Sequence, residues 1–168
     1  MKREKSIELL NLAIADELAA VHQYMFFHFH CDDQGYDLLS SLFKRTAIAE
    51  MLHVEKLSDR ILFLKGVIKM ECAQKVEQIT DVRSMLEFAR KSEEEAIDVY
   101  NKFAMECGNA ADSVTKKMFE ELVVDEETHF DEFDDEMDNL LKYGENYLVL
   151  QSMERSKKKS MVMPPVKE

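Results

Sequence analysis

Six side chains able to bind metal ions form two sets of three in this 168-residue chain, and the spacing within each set is the same. They are Glu17, Glu50 and His53 in the first half, and Glu93, Glu126 and His129 in the second. Each member of the second set follows its counterpart by one constant offset, 76 in the numbering (93−17, 126−50, 129−53). Carboxylate oxygens and imidazole nitrogens suit iron and manganese, and four-helix proteins hold pairs of these ions with four carboxylates and two histidines. The spacing therefore predicts a site for two such ions.

The same residues also have a plainer interpretation. Acidic residues occupy 34 of the 168 positions, so a glutamate three residues before a histidine is common by chance. In a metal-free helical bundle these glutamates would be solvated and the histidines would cap helices or line the core. However, a lone glutamate precedes each Glu-x-x-His by the same separation (50−17, 126−93). This second match favours the metal site.

Helical geometry constrains the direction of these side chains. Residues three apart on a helix lie on one side of it, so Glu50 and His53 can face the same interior point. The intervening Met51 is about 100° from Glu50 on the helical wheel, so it must then face outward. An outward methionine suits a bound partner, but it would also suit a plain subunit contact or an isolated surface position.

Glycine and proline are scarce, which permits long helices. The only prolines are Pro164 and Pro165, and we expect each of the four glycines to mark a helix end in the left-handed conformation. Asp81 and Asp112 are good N-cap residues. The predicted helices cover about residues 6–33, 36–65, 81–107, 112–143 and 145–153.

The segments between these helices predict their connections. Residues 67–80 lack helical periodicity and are long enough to cross the length of a bundle, whereas the breaks at Gly35 and Gly108 allow only tight turns. The fold class is therefore all-α, a four-helix bundle of two antiparallel hairpins joined by a long crossover, with a short fifth C-terminal helix. We expect one domain at residues 1–153 and a flexible tail at 154–168.

Composition limits the environment and the partners. Cys31, Cys72 and Cys107 are predicted to be free thiols in a reducing compartment. Residues 1–6 lack the apolar core of a signal peptide and no long apolar span follows, so we expect a cytoplasmic protein without membrane contact.

A net charge of −12 opposes binding to nucleic acid but attracts cations. Three lysines at 157–159 could contact nucleic acid or a redox partner, although such runs are mostly solvated.

Four segments resemble the bacterioferritins, the haem-binding ferritins of the ferritin-like superfamily. They are residues 16–24, 49–64, 124–129 and 145–148, and the resemblance extends over about residues 6–153. It implies that the six residues of the two sets are the ligands of a di-iron ferroxidase centre with two iron ions per subunit. It further implies bridging roles for Glu50 and Glu126, and terminal roles for Glu17 and Glu93.

Three other residues acquire expected roles from this resemblance. Tyr24 is similar to the family's tyrosine beside the iron pair, although a core tyrosine with a satisfied hydroxyl is the alternative. Met51 corresponds to the methionine that each of two subunits supplies to a shared haem, of b-type or a related iron porphyrin. Lys44 lies seven residues before Met51, nearly on the same outer face, and is a candidate partner for a haem propionate.

The sequence departs from the family at two positions. Some bacterioferritins have a further iron site on the cavity side of the second helix, built from a histidine and an aspartate. Those positions are Arg45 and Ala49 here. A guanidinium and a methyl group cannot bind iron, so we expect no passage of iron into the cavity by that route.

The resemblance also implies a function and an assembly. The expected protein is a homo-oligomeric hollow shell of 24 subunits built from twofold dimers, with Fe²⁺ and either O₂ or H₂O₂ as substrates. Each Fe²⁺ gives one electron to the oxidant, ferric mineral is stored inside, and haem with a ferredoxin-type reductant assists release. Two alternatives remain: a rubrerythrin-like di-iron peroxidase, although the chain lacks a Cys-x-x-Cys pair for a rubredoxin iron, and a metal-free structural helical bundle.

Overall fold

Residues 3–162 form five helices, and two long hairpins make up the bundle. The computed structural model describes residues 3–162, with side chains described for residues 3–156. The helices are α1 (Glu4–Asp33), α2 (Asp37–Phe63), α3 (Val82–Asn109), α4 (Ser113–Tyr143) and α5 (Glu145–Val162). Helix α1 packs along α2, and α3 packs along α4. The predicted all-α bundle of two hairpins is confirmed.

The connection between α2 and α3 runs along α1 for most of its length. Near the beginning of α1, the Asn11 side chain donates to the Val67 carbonyl (3.1 Å) and accepts from the Lys69 amide (2.8 Å). Farther along α1, the Gln23 side chain exchanges two hydrogen bonds with the Glu77 backbone, at 3.1 and 2.7 Å. The connection therefore returns the chain to the other end of the bundle before α3 begins, as the predicted crossover requires.

The two hairpins are structural repeats of each other. Helix α1 ends at Asp33 and α3 ends at Asn109, so their ends differ by 76 in the numbering (109−33). Helix α2 begins at Asp37 and α4 begins at Ser113, and these starts have the same offset (113−37). Because the offset of the metal-binding residues equals the offset of the helices, each set must occupy an equivalent place in its own hairpin.

Aspartate side chains start the second hairpin, as predicted. Asp81 accepts a hydrogen bond from the Ser84 amide at 2.9 Å, and Asp112 accepts one from the Thr115 amide at 3.3 Å. Each bond satisfies an amide that has no partner within its helix. Asp112 is also buried and pairs with Arg60 of α2 at 2.8 Å, which ties the beginning of α4 to the end of α2.

The glycines only partly follow the prediction. Gly35 and Gly144 have positive φ angles of 85° and 57°, as expected at helix ends. At the ends of α2 and α3 the left-handed residues are instead Lys65 (φ 61°) and Ala111 (φ 56°). The expectation that all four glycines adopt this conformation is therefore wrong for two of them.

Gly66 is needed for space. It lies one residue after the left-handed position, and its amide donates to the Ile61 carbonyl at 2.9 Å, which closes the last turn of α2. A Cβ atom at this position would lie 2.8 Å from Cγ2 of Ile7 and 3.0 Å from Cγ2 of Ile61. The glycine thus lets the connection pass close against α1.

Helix α5 is longer than expected. The sequence predicts an end near Met153, but the helix continues to Val162. It packs beside the α1–α2 turn, where the buried Gln151 side chain accepts a hydrogen bond from the Leu39 amide at 3.4 Å. Flexibility of residues 154–168 stays a prediction, and the lysine side chains at 157–159 lie outside the part of the chain whose side chains are described.

The apolar core consists of two clusters. One contains Tyr100, Phe119, Leu57 and neighbouring aliphatic residues, and the other is centred on aromatic residues such as Phe43 and Phe133. The layer of glutamates and histidines lies between them.

No helix among residues 3–162 is both long and apolar enough to cross a membrane.

The three cysteines are free, as predicted. Cys31 and Cys107 are buried, and Cys72 is exposed on the connection between the hairpins.

Candidate metal centre

The four bundle helices each contribute one buried glutamate to a single cluster, and α2 and α4 each add a histidine. The six side chains are Glu17 on α1, Glu50 and His53 on α2, Glu93 on α3, and Glu126 and His129 on α4. Their exposed fractions are 1–3% for the glutamates and 7–8% for the histidines. Removing an unpaired carboxylate from water costs several kcal/mol, so four of them together require compensating positive charge.

The ligand atoms form two overlapping groups, and within each group all of these atoms lie within 4.8 Å of one another. The first group is Glu17, Glu50, His53 and Glu126, and the second is Glu50, Glu93, Glu126 and His129. Glu50 and Glu126 belong to both groups, so each can bridge two cations through its two oxygens. Every group also has one terminal glutamate and one histidine of its own. This arrangement provides two adjacent positions for divalent ions.

Both histidines direct the same nitrogen into the cluster. His53 Nδ1 lies 2.8 Å from Glu50 Oε2 and 3.3 Å from Glu126 Oε1. His129 Nδ1 lies 3.0 Å from Glu50 Oε1 and 3.0 Å from Glu126 Oε2. The shared glutamates thus lie between the two imidazoles, with one oxygen toward each.

Several atoms in the cluster lack a hydrogen-bond partner. They are both carboxylate oxygens of Glu50, Oε1 of Glu126 and Nδ1 of His53. These atoms approach one another within ion-pair distance but without hydrogen-bond geometry. Buried polar atoms are nearly always satisfied in proteins, so a group of unsatisfied ligand atoms facing one point fits bound cations. Hard oxygen and imidazole nitrogen donors fit iron or manganese in particular.

The pKa values reflect the burial of these charges. Burial, reinforced by the charge of Glu50, raises the pKa of Glu17 and of Glu93 well above the usual range. Burial acts in the same direction on Glu50, but the adjacent imidazoles of His129 and His53 outweigh it and lower its pKa to about 2. Protons thus supply part of the compensating charge when no cation is present.

The imidazoles show the complementary effect. Burial lowers the pKa of each, but contacts with Glu126 and other cluster carboxylates outweigh it, so the pKa of His53 is raised and that of His129 reaches about 11. A bound cation would displace protons from Nδ1 of both rings.

Two tyrosines complete the cluster, and only one of them was predicted. Tyr24 on α1 donates a hydrogen bond to Glu93 on α3, and Tyr100 on α3 donates one to Glu17 on α1 at 2.6 Å. Tyr24 is also a core residue with a satisfied hydroxyl, and its role beside an iron pair stays a prediction. Sequence analysis missed Tyr100, although it follows Tyr24 by the same offset as the ligands (100−24).

A cavity of about 280 Å³ reaches the cluster from the groove between α1 and α3. Small side chains such as Ala20 and Ala96 line it, and Gln74 and Lys75 of the connection lie at its edge. The four cluster glutamates form part of its wall. The cavity has room for a small substrate beside the ligand atoms.

Met51 and Lys44 lie outside the cluster. The Met51 side chain is 52% exposed, so its outward direction agrees with the helical wheel. Lys44 is exposed as well. Arg45 forms an ion pair with Glu132 at 2.9 Å, and Ala49 is half-buried beside Glu50.

Comparisons with known proteins agree with this geometry. Residues 7–142 match the ferritin-like domain family. The bacterioferritin of Brucella melitensis biotype 1 is 36% identical over 146 residues, which cover 86% of this chain and 91% of that protein. The Desulfovibrio desulfuricans bacterioferritin is 33% identical over 147 residues, covering 88% of this chain and 82% of that protein. An X-ray structure of the latter, described by the catalytic states of its diiron site, has a TM-score of 0.86 at 33% identity and covers 88% of this chain and 86% of that one.

Proposed function

Because the chain belongs to the bacterioferritins of the ferritin-like family, we propose that it oxidises Fe²⁺ at the buried glutamate and histidine cluster and stores the ferric product. One observation carries this proposal. The cluster contains two four-ligand groups that share Glu50 and Glu126, so two metal ions fit side by side within one subunit. Two Fe²⁺ ions held there would each supply one electron to O₂ or H₂O₂.

The protein's own residues then have separate tasks in this reaction. Glu50 and Glu126 hold both ions, and their negative charge favours the more highly charged ferric products. Tyr24 and Tyr100 orient the two terminal glutamates through their hydroxyl groups. The apolar clusters on either side limit the access of water, and the cavity beside the ligands gives a small oxidant space to approach.

Removing a shared ligand tests the proposed site. Glu126→Ala deletes a ligand from both groups and should abolish rapid Fe²⁺ oxidation, measured by stopped-flow absorbance after mixing with O₂. Glu127→Ala is the matched control, because it removes the neighbouring glutamate from the exposed side of α4. Both variants should assemble as the wild type does. If Glu126→Ala oxidised Fe²⁺ as fast as Glu127→Ala, the cluster would not be the ferroxidase centre.

We further propose that Met51 binds haem between two subunits related by a twofold axis. Its support is the exposed apolar strip that Ile48, Met51 and Leu52 form on α2, with exposed fractions of 45%, 52% and 52%. A thioether on such a strip can meet its copy from a partner and ligate a haem iron. An optical spectrum of the isolated protein tests this proposal, since haem with two thioether ligands has characteristic bands.

The remaining expectations concern assembly and setting. We propose a homo-oligomeric shell of 24 subunits, for which light scattering should give a particle mass 24 times that of the 19.6 kDa chain. We also propose a cytoplasmic location, and a ferredoxin-type reductant that delivers electrons for iron release. The family's role in iron storage is the basis for all three.

Two alternatives remain less well supported. A rubrerythrin-like peroxidase would need a rubredoxin iron, and the sequence has no Cys-x-x-Cys pair to bind one. A metal-free structural bundle would leave both carboxylate oxygens of Glu50 and Oε1 of Glu126 buried without hydrogen-bond partners. Elemental analysis of the purified protein distinguishes the last alternative, because iron bound at two ions per chain would contradict it.

A further inference from the structure

The two metal positions differ in one contact outside the ligand set. His53 directs Nδ1 into the cluster, and its other nitrogen, Nε2, lies 3.3 Å from Oδ2 of Asp125 on α4. Asp125 is not itself a member of either four-ligand group. A carboxylate at the remote nitrogen of a histidine holds the proton there, fixes the ring orientation and strengthens the other nitrogen as a ligand.

Among the described residues, the histidine of the other position, His129, has no equivalent contact. Subtracting the offset from Asp125 gives residue 49 (125−76), and this residue is Ala49. A methyl group cannot accept a hydrogen bond, and among the described residues no polar side chain contacts His129 Nε2. The nearby Arg45 could not substitute, because it is a cation and already pairs with Glu132.

Most other interactions of the two positions are matched. Glu50 and Glu126 serve both positions, and each terminal glutamate accepts a hydrogen bond from a tyrosine of the opposite hairpin. The two histidines are also similarly buried, at 7% and 8% exposure. His53 Nδ1 also approaches Oε2 of Glu17 at 3.5 Å, but that contact joins two members of the same four-ligand group. The contact with Asp125 is therefore the main difference outside the ligand set.

We propose that Asp125 makes the two positions unequal, so that the position completed by His53 binds its metal ion more tightly than the one completed by His129. This inference rests on the proposed function, since it requires that the cluster bind two ions. Loss of such a contact typically weakens metal binding about 10- to 100-fold. Because the Asp125 side chain is 51% exposed, we expect the lower end, about tenfold. The ion beside His129 would then be the first to leave and the last to bind.

Titration of the assembled, metal-free protein with Co²⁺ tests the proposal without relying on iron oxidation. Unequal binding by the wild type would not suffice, because two adjacent cations repel each other and separate the steps by themselves. Variants with one position disabled avoid this problem. His129→Ala leaves the position completed by His53, and His53→Ala leaves the other.

Asp125→Ala should weaken Co²⁺ binding about tenfold in the His129→Ala protein and leave it unchanged in the His53→Ala protein. Glu127→Ala, which removes one nearby negative charge from α4, should leave both unchanged. The absorption bands of bound Co²⁺ report the ligand geometry in each case. Equal effects of Asp125→Ala in both proteins, or an effect no larger than that of Glu127→Ala, would overturn the inference.

A second variant keeps the test independent of the disabled proteins. In the otherwise wild-type chain, Ala49→Asp should tighten the weaker of the two Co²⁺ steps about tenfold and leave the tighter step unchanged. If it changed neither step, the inference would be wrong while the di-iron site stood. If the wild type bound no Co²⁺ at the cluster, the proposed function would fail together with the inference.

Discussion

Tyr100 on α3 donates a hydrogen bond to Glu17 on α1, with 2.6 Å between the two oxygens. The reciprocal bond joins Tyr24 on α1 to Glu93 on α3. Each hairpin therefore fixes the terminal glutamate of the other, across the groove where α1 and α3 face each other. The two repeats are coupled at the place where their ligands meet.

Tyr100→Phe should destabilise the metal-free protein and slow Fe²⁺ oxidation. The substitution leaves the buried Glu17 carboxyl without this donor, which costs about 1–3 kcal/mol. Tyr24→Phe should have an effect of similar size, because its contact with Glu93 is the repeat of the same interaction. Thermal unfolding and stopped-flow oxidation measure the two consequences. Wild-type behaviour of Tyr100→Phe in both measurements would contradict a positioning role.

If Met51 ligates haem as proposed, Met51→Leu should remove the haem while leaving iron oxidation unchanged. Leucine keeps the apolar volume of the exposed strip on α2 but has no sulfur to ligate iron. The absorption bands of haem should therefore be missing from the purified variant, whereas its initial rate of Fe²⁺ oxidation should equal that of the wild type. Haem retained at wild-type occupancy would assign the ligand to another residue.

Asp112→Asn should destabilise the protein at neutral pH, with an effect that fades in acid. Burial by itself would raise the pKa of Asp112, but hydrogen bonds from Thr115 and the charge of Arg60 outweigh it and hold the pKa below its usual value. The ionised carboxylate therefore stabilises the fold fully above about pH 4, and this contribution is lost as the pH falls through the lowered pKa. We expect a loss of about 2 kcal/mol at pH 7.

Denaturant unfolding between pH 7 and about pH 2, below the lowered pKa of Asp112, measures this difference. The matched control is Asp81→Asn, which alters the corresponding N-cap of α3, where the residue is exposed and lacks a buried arginine partner. Asparagine caps helices about as well as aspartate, so this variant should be nearly neutral. Equal losses in the two variants would show that the Arg60 pair contributes nothing.

Gly66→Ala should destabilise the protein, whereas Gly108→Ala should be tolerated. The new Cβ at residue 66 would clash with Ile7 and Ile61, and relief of such a clash costs about 1–3 kcal/mol. At residue 108 the nearest atom is Cδ of Lys116 at 3.3 Å, on a flexible side chain that can move. Thermal unfolding of the two variants should separate them clearly, and a Gly66→Ala protein as stable as Gly108→Ala would contradict the role of close packing.

Much of the fold could be predicted because the decisive signals are local. Asp81 and Asp112 mark helix starts through their own hydrogen bonds, and the glutamate and histidine spacing is visible without any coordinates. The left-handed residues were harder to locate. Lys65 has the left-handed backbone conformation, which glycine tolerates better. The glycine stands at the next position instead, because a Cβ atom at residue 66 would clash with Ile7. Packing between distant segments made that choice, and no local pattern records it.

The site shows the same division between local and distant causes. The repeat offset identified the six residues of the cluster and would also have found Tyr100, but a tyrosine is most often a core residue and did not stand out by type. The contact of Asp125 with His53 depends on how α4 lies against α2, so spacing alone could not assign it. Helix α5 extends past Met153 although its sequence there is strongly polar, which apolar periodicity could not indicate.

The layer of charged ligands between the two apolar clusters has a consequence for cooperativity. Each end of the bundle has its own hydrophobic interior, and the layer of buried glutamates and histidines lies between them at mid-height. Amide hydrogen exchange should thus resolve two independently opening halves in the metal-free protein. Metal ions bound in this layer would couple the two halves into one cooperative unit, because the same ions would then bind side chains from all four helices. Metal binding would in this way suppress local opening in both halves of the subunit.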